Sequence, residues 1–167
     1  NAGTGHAALC ELNYMPDDPH GGIPSASKAI AINQQFQESR EFWASLVSTG
    51  VMKDPSSFIH SIPHMTFVRG PKDADYLKRR YQALKDQPLF NGMEFSDDPD
   101  QISKWIPLMI EGRAAEVIAA TRIEQGTDVD YGAVTRQLFD WLKSAGVEVL
   151  TSHEVRALKR RGEGWSV

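Results

Sequence analysis

The sequence predicts a mixed α/β fold, and three stretches carry that prediction. In residues 27–50, Ile32, Phe36, Ser39, Trp43, Leu46 and Gly50 follow the alternating four- and three-residue spacing of one helix face. Residues 58–68 are dense in β-forming side chains, and the last third reads as helix, strand and hairpin in turn.

In chain order, the first feature is Gly3-Thr4-Gly5-His6. Glycines there let the backbone turn tightly and approach a ligand closely. The Thr4 hydroxyl and successive N–H groups would then form a concavity for a phosphate or pyrophosphate. The Ala-Ala-Leu-Cys-Glu-Leu run that follows is expected to start a helix whose positive end points the same way. Ordinary turns use the same Gly-x-Gly spacing. Residues 15–24 are rich in turn formers and read as a loop, with His20 as a solvated loop residue. Ser25 or Ser27 caps the first helix and Gly50 suits the left-handed position after it. Lys28 and Arg40 on that helix read as solvated side chains.

In residues 58–68, Pro63 marks an edge, a bulge or the junction of two short strands. Alternation puts His64, Thr66 and Val68 on one side and Met65 and Phe67 on the other. That pattern suits a sheet with one face on a core and one on a cavity. There His64 would accept a proton or bind an anion; a structural histidine is the alternative. Asp73 is expected to cap a second helix carrying Tyr76, Leu77, Arg80, Tyr81 and Leu84, with Lys78-Arg79-Arg80 on an exposed face. A short strand near Met93-Glu94-Phe95 precedes Asp98-Pro99-Asp100-Gln101, a strong helix start. Ile102, Trp105 and Ile106 give that helix its apolar side, and Pro107 ends it.

Arg113, in the loop after Glu111-Gly112, offers a planar fork matched to a carboxylate. Arg122, in a strand over 117–123, is a second such candidate. Asp130 caps a last helix with Val134, Leu138, Trp141 and Ala145 on one face, closed by Gly146. Residues 147–150 are expected to be a strand joining a parallel sheet. A hairpin turning at Gly162-x-Gly164 follows.

At 167 residues with 41% hydrophobic and 24% charged content, the chain can bury a real core. A net charge of −4 lacks the basic footprint of a nucleic-acid binder. The single cysteine, Cys10, allows no internal disulfide and no cysteine-built metal site, and it reads as a small buried hydrophobe. Five scattered histidines without an i, i+4 pair on a helix argue against a metal enzyme. Apolar runs fall short of the roughly 20 residues a membrane span needs.

The opening Asn-Ala-Gly-Thr-Gly-His-x-Ala-Leu-x-Glu-Leu-Asn-Tyr resembles the segment after the dinucleotide-binding βαβ unit of malate:quinone oxidoreductases, FAD-dependent relatives of the amino-acid-oxidase-like flavoproteins. The likeness continues through Pro63-His64-Met65-x-Phe67-Val68, Trp105-x-Pro107-Leu108, Glu111-Gly112-Arg113, Gly126-Thr127-Asp128-Val129 and Ser152-x-Glu154-Val155-Arg156. It implies a fragment of an FAD-binding Rossmann-like domain plus part of a substrate domain. Residues 1–50 and 126–167 would be FAD-domain segments, and 51–125 the substrate-domain segment. No Gly-x-Gly-x-x-Gly follows a strand, and the resemblance puts that fingerprint upstream, as in an internal piece of a longer chain.

The resemblance further implies that Gly3, Thr4, Gly5, His6 and the Val155 backbone contact FAD. His64 would be the catalytic or polar substrate contact, with Arg113, Arg122 and Thr66 as substrate-binding residues. The activity implied is malate oxidation to oxaloacetate in the tricarboxylic acid cycle, with electrons passed to a membrane quinone. The enzyme would lie peripherally on the cytoplasmic side of the bacterial inner membrane. Related FAD-dependent 2-hydroxyacid oxidoreductases are the alternative. For the chain alone, a catalytically silent α/β module is another, with exposed sheet edges that favour a homo-oligomer.

Overall fold

The computed structural model describes residues 3–167. The fold is mixed α/β, and every strand pair among the described residues is antiparallel. The helices are α1 (Ser27–Ser48), α2 (Pro71–Leu84), α3 (Pro99–Trp105) and α4 (Tyr131–Ser144). The strands are β1 (Ile59–Ser61), β2 (His64–Arg69), β3 (Glu94–Ser96), β4 (Ile118–Ile123), β5 (Thr127–Val129), β6 (Lys159–Arg161) and β7 (Gly164–Ser166).

Most helix ends follow from local chemistry. Asp98 Oδ1 accepts the Asp100 N–H and Pro99 opens α3; Asp130 Oδ1 accepts the Ala133 N–H of α4. After α1, Gly50 has φ +76°, and Gly50 N and Val51 N donate to Val47 O and Leu46 O. After α4, Gly146 has φ +83°, and Gly146 N and Val147 N donate to Lys143 O and Leu142 O. Both are Schellman closures, in which a left-handed glycine turns two orphan carbonyls back onto the chain. Two expected caps differ. Ala26 precedes α1, with Ser25 Oγ accepting the Ser27 N–H. Gly70, at φ +85°, precedes α2 because Pro71 fits the first helical position, which leaves Asp73 in the first turn rather than at the cap.

Pro63 is the junction of two strands that belong to different sheets: β1 pairs with β5, while β2, β4 and β3 form a sheet with β4 in the middle. In that sheet His64, Thr66 and Val68 are buried, and Val68 packs with Ala119, Ala74 and Leu77 under α2. Phe67 faces the other way, onto the cluster of Ile102, Ile118 and Ala120 with Trp105 and Ile110 from the α3 side. Trp43 joins α1 to the small sheet, edge-on to Phe36, Phe58 and Tyr131 at 6.0–6.3 Å between centroids.

Three further expectations differ. The run after His6 does not start a helix: it bends at residues 7–10 and makes only a 3₁₀ turn at Leu12–Tyr14, with Ala8 at φ +55°. Ala7, Ala8 and Leu9 are buried together in the largest core cluster, so the segment is folded by burial rather than by helical hydrogen bonding. Residues 147–150 form no strand, because among the described residues no strand lies beside them to share a ladder. Finally, the basic run on α2 is not one exposed face. Lys78 is exposed, but Arg80 is fully buried, since a helical turn carries it onto the side of Tyr76, Leu77 and Leu84.

Candidate functional site

The Gly-Thr-Gly-His segment is stitched to the edge of β5. Thr4 bridges Asp128, Gly5 N donates to Thr127 O at 2.8 Å, and Val129 N donates to Gly3 O. A Cβ on Gly5 would collide with Thr127 Oγ1 and Phe36, and one on Gly3 with Asp128. These glycines therefore serve close packing of backbone against β5. His6 stays half exposed and pairs with Glu11 at 3.2 Å, whose second carboxylate oxygen accepts the Cys10 N–H.

Beneath the segment, side chains from β2 and α2 take its carbonyls. Thr66 Oγ1 donates to Cys10 O at 2.7 Å, and Tyr76 OH donates to Met15 O with Leu12 O at 3.2 Å. Arg80 Nη2 donates to Ala8 O at 2.9 Å, with Leu9 O at 3.4 Å. Arg79 adds ion pairs to Asp17 and Asp75, both at 2.9 Å. Arg80 is the unusual member: its Nε and Nη1 are buried without a partner among the described residues. Burial pushes its affinity for the proton down, opposed by the nearby Tyr76, Cys10 and Glu11. A guanidinium starts so basic that it stays charged.

His64 lies on the same side of the sheet. Its Nε2 is 3.1 Å from Thr127 O, a group that only accepts, so the ring proton sits on Nε2 and Nδ1 is the acceptor. Nδ1 faces Cys10 Sγ at 3.9 Å. Burial first, and then Glu11, push the Cys10 thiol up to about 11, so it remains a protonated weak donor to His64. The His64 ring packs on Gly126, where a Cβ would strike it.

The two arginines chosen as carboxylate partners lie across the sheet. Arg122 pairs in register with Met65, and it is held by Glu94 at 3.5 Å and by Glu124. The Arg113 guanidinium lies 5.8 Å from the Phe67 ring centroid and borders a cavity of about 170 Å³ with Ile110, Glu116 and Ile118. Met65 and Phe67 alternate with His64 and Thr66, so the sheet separates both arginines from His64. Val155 sits in the exposed stretch between α4 and β6, with no burial against the segment. The structure thus gathers Gly3, Thr4, Gly5, His6, His64 and Thr66, and leaves Arg113, Arg122 and Val155 elsewhere.

Arg80 and Tyr76 are the site residues that sequence reasoning missed. Their shared i, i+4 face with Leu84 was the available signal. Among the described residues no cluster of three His, Cys, Asp or Glu side chains is arranged to hold a metal, and no helix is long and apolar enough to cross a membrane.

Fold and site define a mixed α/β chain whose glycine segment is paired to a β-edge and followed by a buried run held by a cationic helix. Comparison with known proteins adds the family. The family model described as malate:quinone oxidoreductase matches residues 1–167. A probable malate:quinone oxidoreductase of Geobacillus sp. is 54% identical over 98% of this chain and 32% of its own length. Proteins given the same name in Exiguobacterium sp. and Leifsonia xyli are each 56% identical over 100% of this chain and 34% of their own. The chain belongs to the malate:quinone oxidoreductase family, and it spans about a third of the length of these curated relatives.

Proposed function

We propose that this chain contributes to an FAD-dependent oxidoreductase that converts malate to oxaloacetate and delivers the electrons to a membrane quinone, within the tricarboxylic acid cycle. The observation that carries the reading is the family match over residues 1–167. In this reading residues 1–50 and 126–167 belong to the FAD domain and 51–125 to the substrate domain. The enzyme works peripherally at the cytoplasmic face of the bacterial inner membrane.

The residues present fit FAD at the Gly-Thr-Gly-His segment. Arg80 supplies buried positive charge beneath it, with two nitrogens unpartnered among the described residues, and His6 and the Cys10 N–H, which Glu11 engages in the ligand-free chain, are further donors there. Such donors suit a pyrophosphate. When bound, the flavin accepts the hydride lost from the substrate carbon. The chain's own share is orientation and proton handling. Thr127 O keeps the proton on His64 Nε2, which leaves Nδ1 as the acceptor for a substrate hydroxyl proton once that hydroxyl takes the position facing Cys10. Arg113 and Arg122 lie across the sheet from His64, so one malate engages either the histidine or the arginines. We assign the reacting hydroxyl to the His64 side. On that assignment Arg113 and Arg122 do not contact the same malate, and Arg122 stays paired with Glu94 and Glu124.

The test uses the family-length protein carrying this sequence. Malate, but not 2-hydroxyglutarate, should reduce a soluble quinone analogue, and the purified protein should carry a flavin absorption spectrum. A colourless protein that stays inactive when FAD is added would refute the reading. Equal turnover of 2-hydroxyglutarate would move it to a broader 2-hydroxyacid enzyme. His64→Gln should lower kcat much more than it raises KM.

A further inference from the structure

Five carbonyls of residues 8–15 are engaged from one side: Ala8 and Leu9 by Arg80, Cys10 by Thr66, Leu12 and Met15 by Tyr76. A planar trans peptide points its N–H opposite to its C=O. The Leu9 and Cys10 N–H groups are therefore turned away from Arg80, and the Glu11 N–H away from Thr66. The direction is visible at Cys10, whose N–H meets the Glu11 carboxylate while the Leu9 carbonyl of the same peptide lies within 3.4 Å of Arg80. Ala8 holds φ +55°, a left-handed conformation that an alanine rarely adopts without outside support. Arg80 donates to that residue's own carbonyl, is fully buried, and keeps two nitrogens unpartnered among the described residues. A buried cation used only as a brace would be costly, and a neutral donor would hold the same carbonyls.

We propose that Arg80 is the positioning residue of this segment: it fixes the left-handed turn at Ala8 and the outward N–H groups of Leu9 and Cys10, and its charge biases that outer side toward the anionic part of a ligand. The inference rests on the reading that the ligand is FAD. The residue acts through the backbone it holds, and it touches no reacting atom.

The experiment compares wild type, Arg80→Met and Arg80→Lys in the family-length protein by two readouts. Amide hydrogen exchange over residues 7–12 of the ligand-free protein reports the clamp, and FAD titration of the apoprotein reports its use. In Arg80→Met, exchange should quicken and FAD Kd should rise, each at least tenfold. Arg80→Lys keeps the charge on a shorter side chain that does not reach the Nη2 position between the two carbonyls, so it should quicken exchange similarly while recovering part of the FAD affinity. Faster exchange with FAD Kd within twofold of wild type in Arg80→Met would overturn the proposal, leaving a brace only. Unchanged exchange would overturn it as well. Where Arg80→Met fails to fold, Arg80→Lys carries both readouts, and exchange or Kd equal to wild type overturns the proposal. A wild type that binds no FAD would instead remove the cofactor reading, and the exchange arm would then judge the clamp by itself.

Discussion

The two ends of this chain both carry apolar side chains and fold in opposite ways. At the N-terminal end, Ala7, Ala8, Leu9 and Met15 are buried in the largest core cluster, with little regular secondary structure. At the C-terminal end, Val147, Leu150, Val155, Leu158, Trp165 and Val167 are 47–78% exposed, even though β6 and β7 pair regularly there. Backbone regularity and burial are separable. The first end is fixed by partners far away in sequence, and the second by its own turn.

The largest effect should follow from filling the space that Gly5 leaves. Gly5→Ala would drive a methyl into Thr127 Oγ1 and Phe36, and overpacking against a strand edge costs about 3 kcal/mol. Phe36→Ala opens the same contact from the other side, for a similar loss of roughly 3 kcal/mol, the low end for a buried Phe. Thermal or urea unfolding should show both losses. The same Gly→Ala change at Gly162, whose φ is +61° with open space around it, should cost only about 1 kcal/mol, from backbone strain. Equal losses at Gly5 and Gly162 would mean that the N-terminal segment is not packed as described.

Cys10 gives a pH-dependent version of the contrast. Its thiol is raised from 9.0 to about 11 in the folded state, so folding favours the protonated form. The resulting stability is fully present below pH 9 and is lost as pH rises toward 11. Partial solvent access reduces the full linkage value to roughly 1 kcal/mol. Cys10→Ala should flatten the alkaline fall in stability between pH 9 and 11. Wild-type Cys10 should also react with iodoacetamide at pH 8 far more slowly than the unfolded chain does.

These differences explain what was legible in the sequence. Asp98-Pro99, Asp130, Gly50 and Gly146 act within a few residues, and the starts of α3 and α4 and the ends of α1 and α4 could be read from them. Arg80 could not be read that way, because its partners Ala8 and Leu9 are 72 and 71 residues away. Nothing in Lys78-Arg79-Arg80 says which member turns inward until α2 is laid on the sheet. The face of β2 was legible as an alternation. That Arg113 and Arg122 stand across the sheet from His64 depends on the β2–β4 register. The family resemblance named plausible groups, while the register decides which of them can meet. The strand expected at 147–150 failed for the converse reason: its pattern was local and its ladder partner was not.

A capping change should have a middling effect. Asp130→Ala removes the acceptor of the Ala133 N–H at the start of α4, which costs about 1 kcal/mol. Because Tyr131 also packs on Trp43, the loss should spread to the small sheet. Hydrogen exchange of β5 would then quicken along with that of α4, whereas quickening confined to α4 would show that the cap is only local.

The smallest effect belongs to the hairpin. Trp165 is 64% exposed and every residue from 151 to 167 is exposed, so Trp165→Ser should change the unfolding free energy of this 167-residue chain by less than about 0.5 kcal/mol. An isolated two-stranded hairpin is marginal in water, and amides of β6 and β7 should exchange orders of magnitude faster than those of β4. In the family-length protein the same substitution becomes a sharper probe. A loss there of about 2 kcal/mol or more would mean that the indole is buried by sequence beyond these residues, and that the hairpin's apolar side is an internal surface of the whole protein. A loss that stays below 0.5 kcal/mol in both would make Trp165 a surface residue throughout.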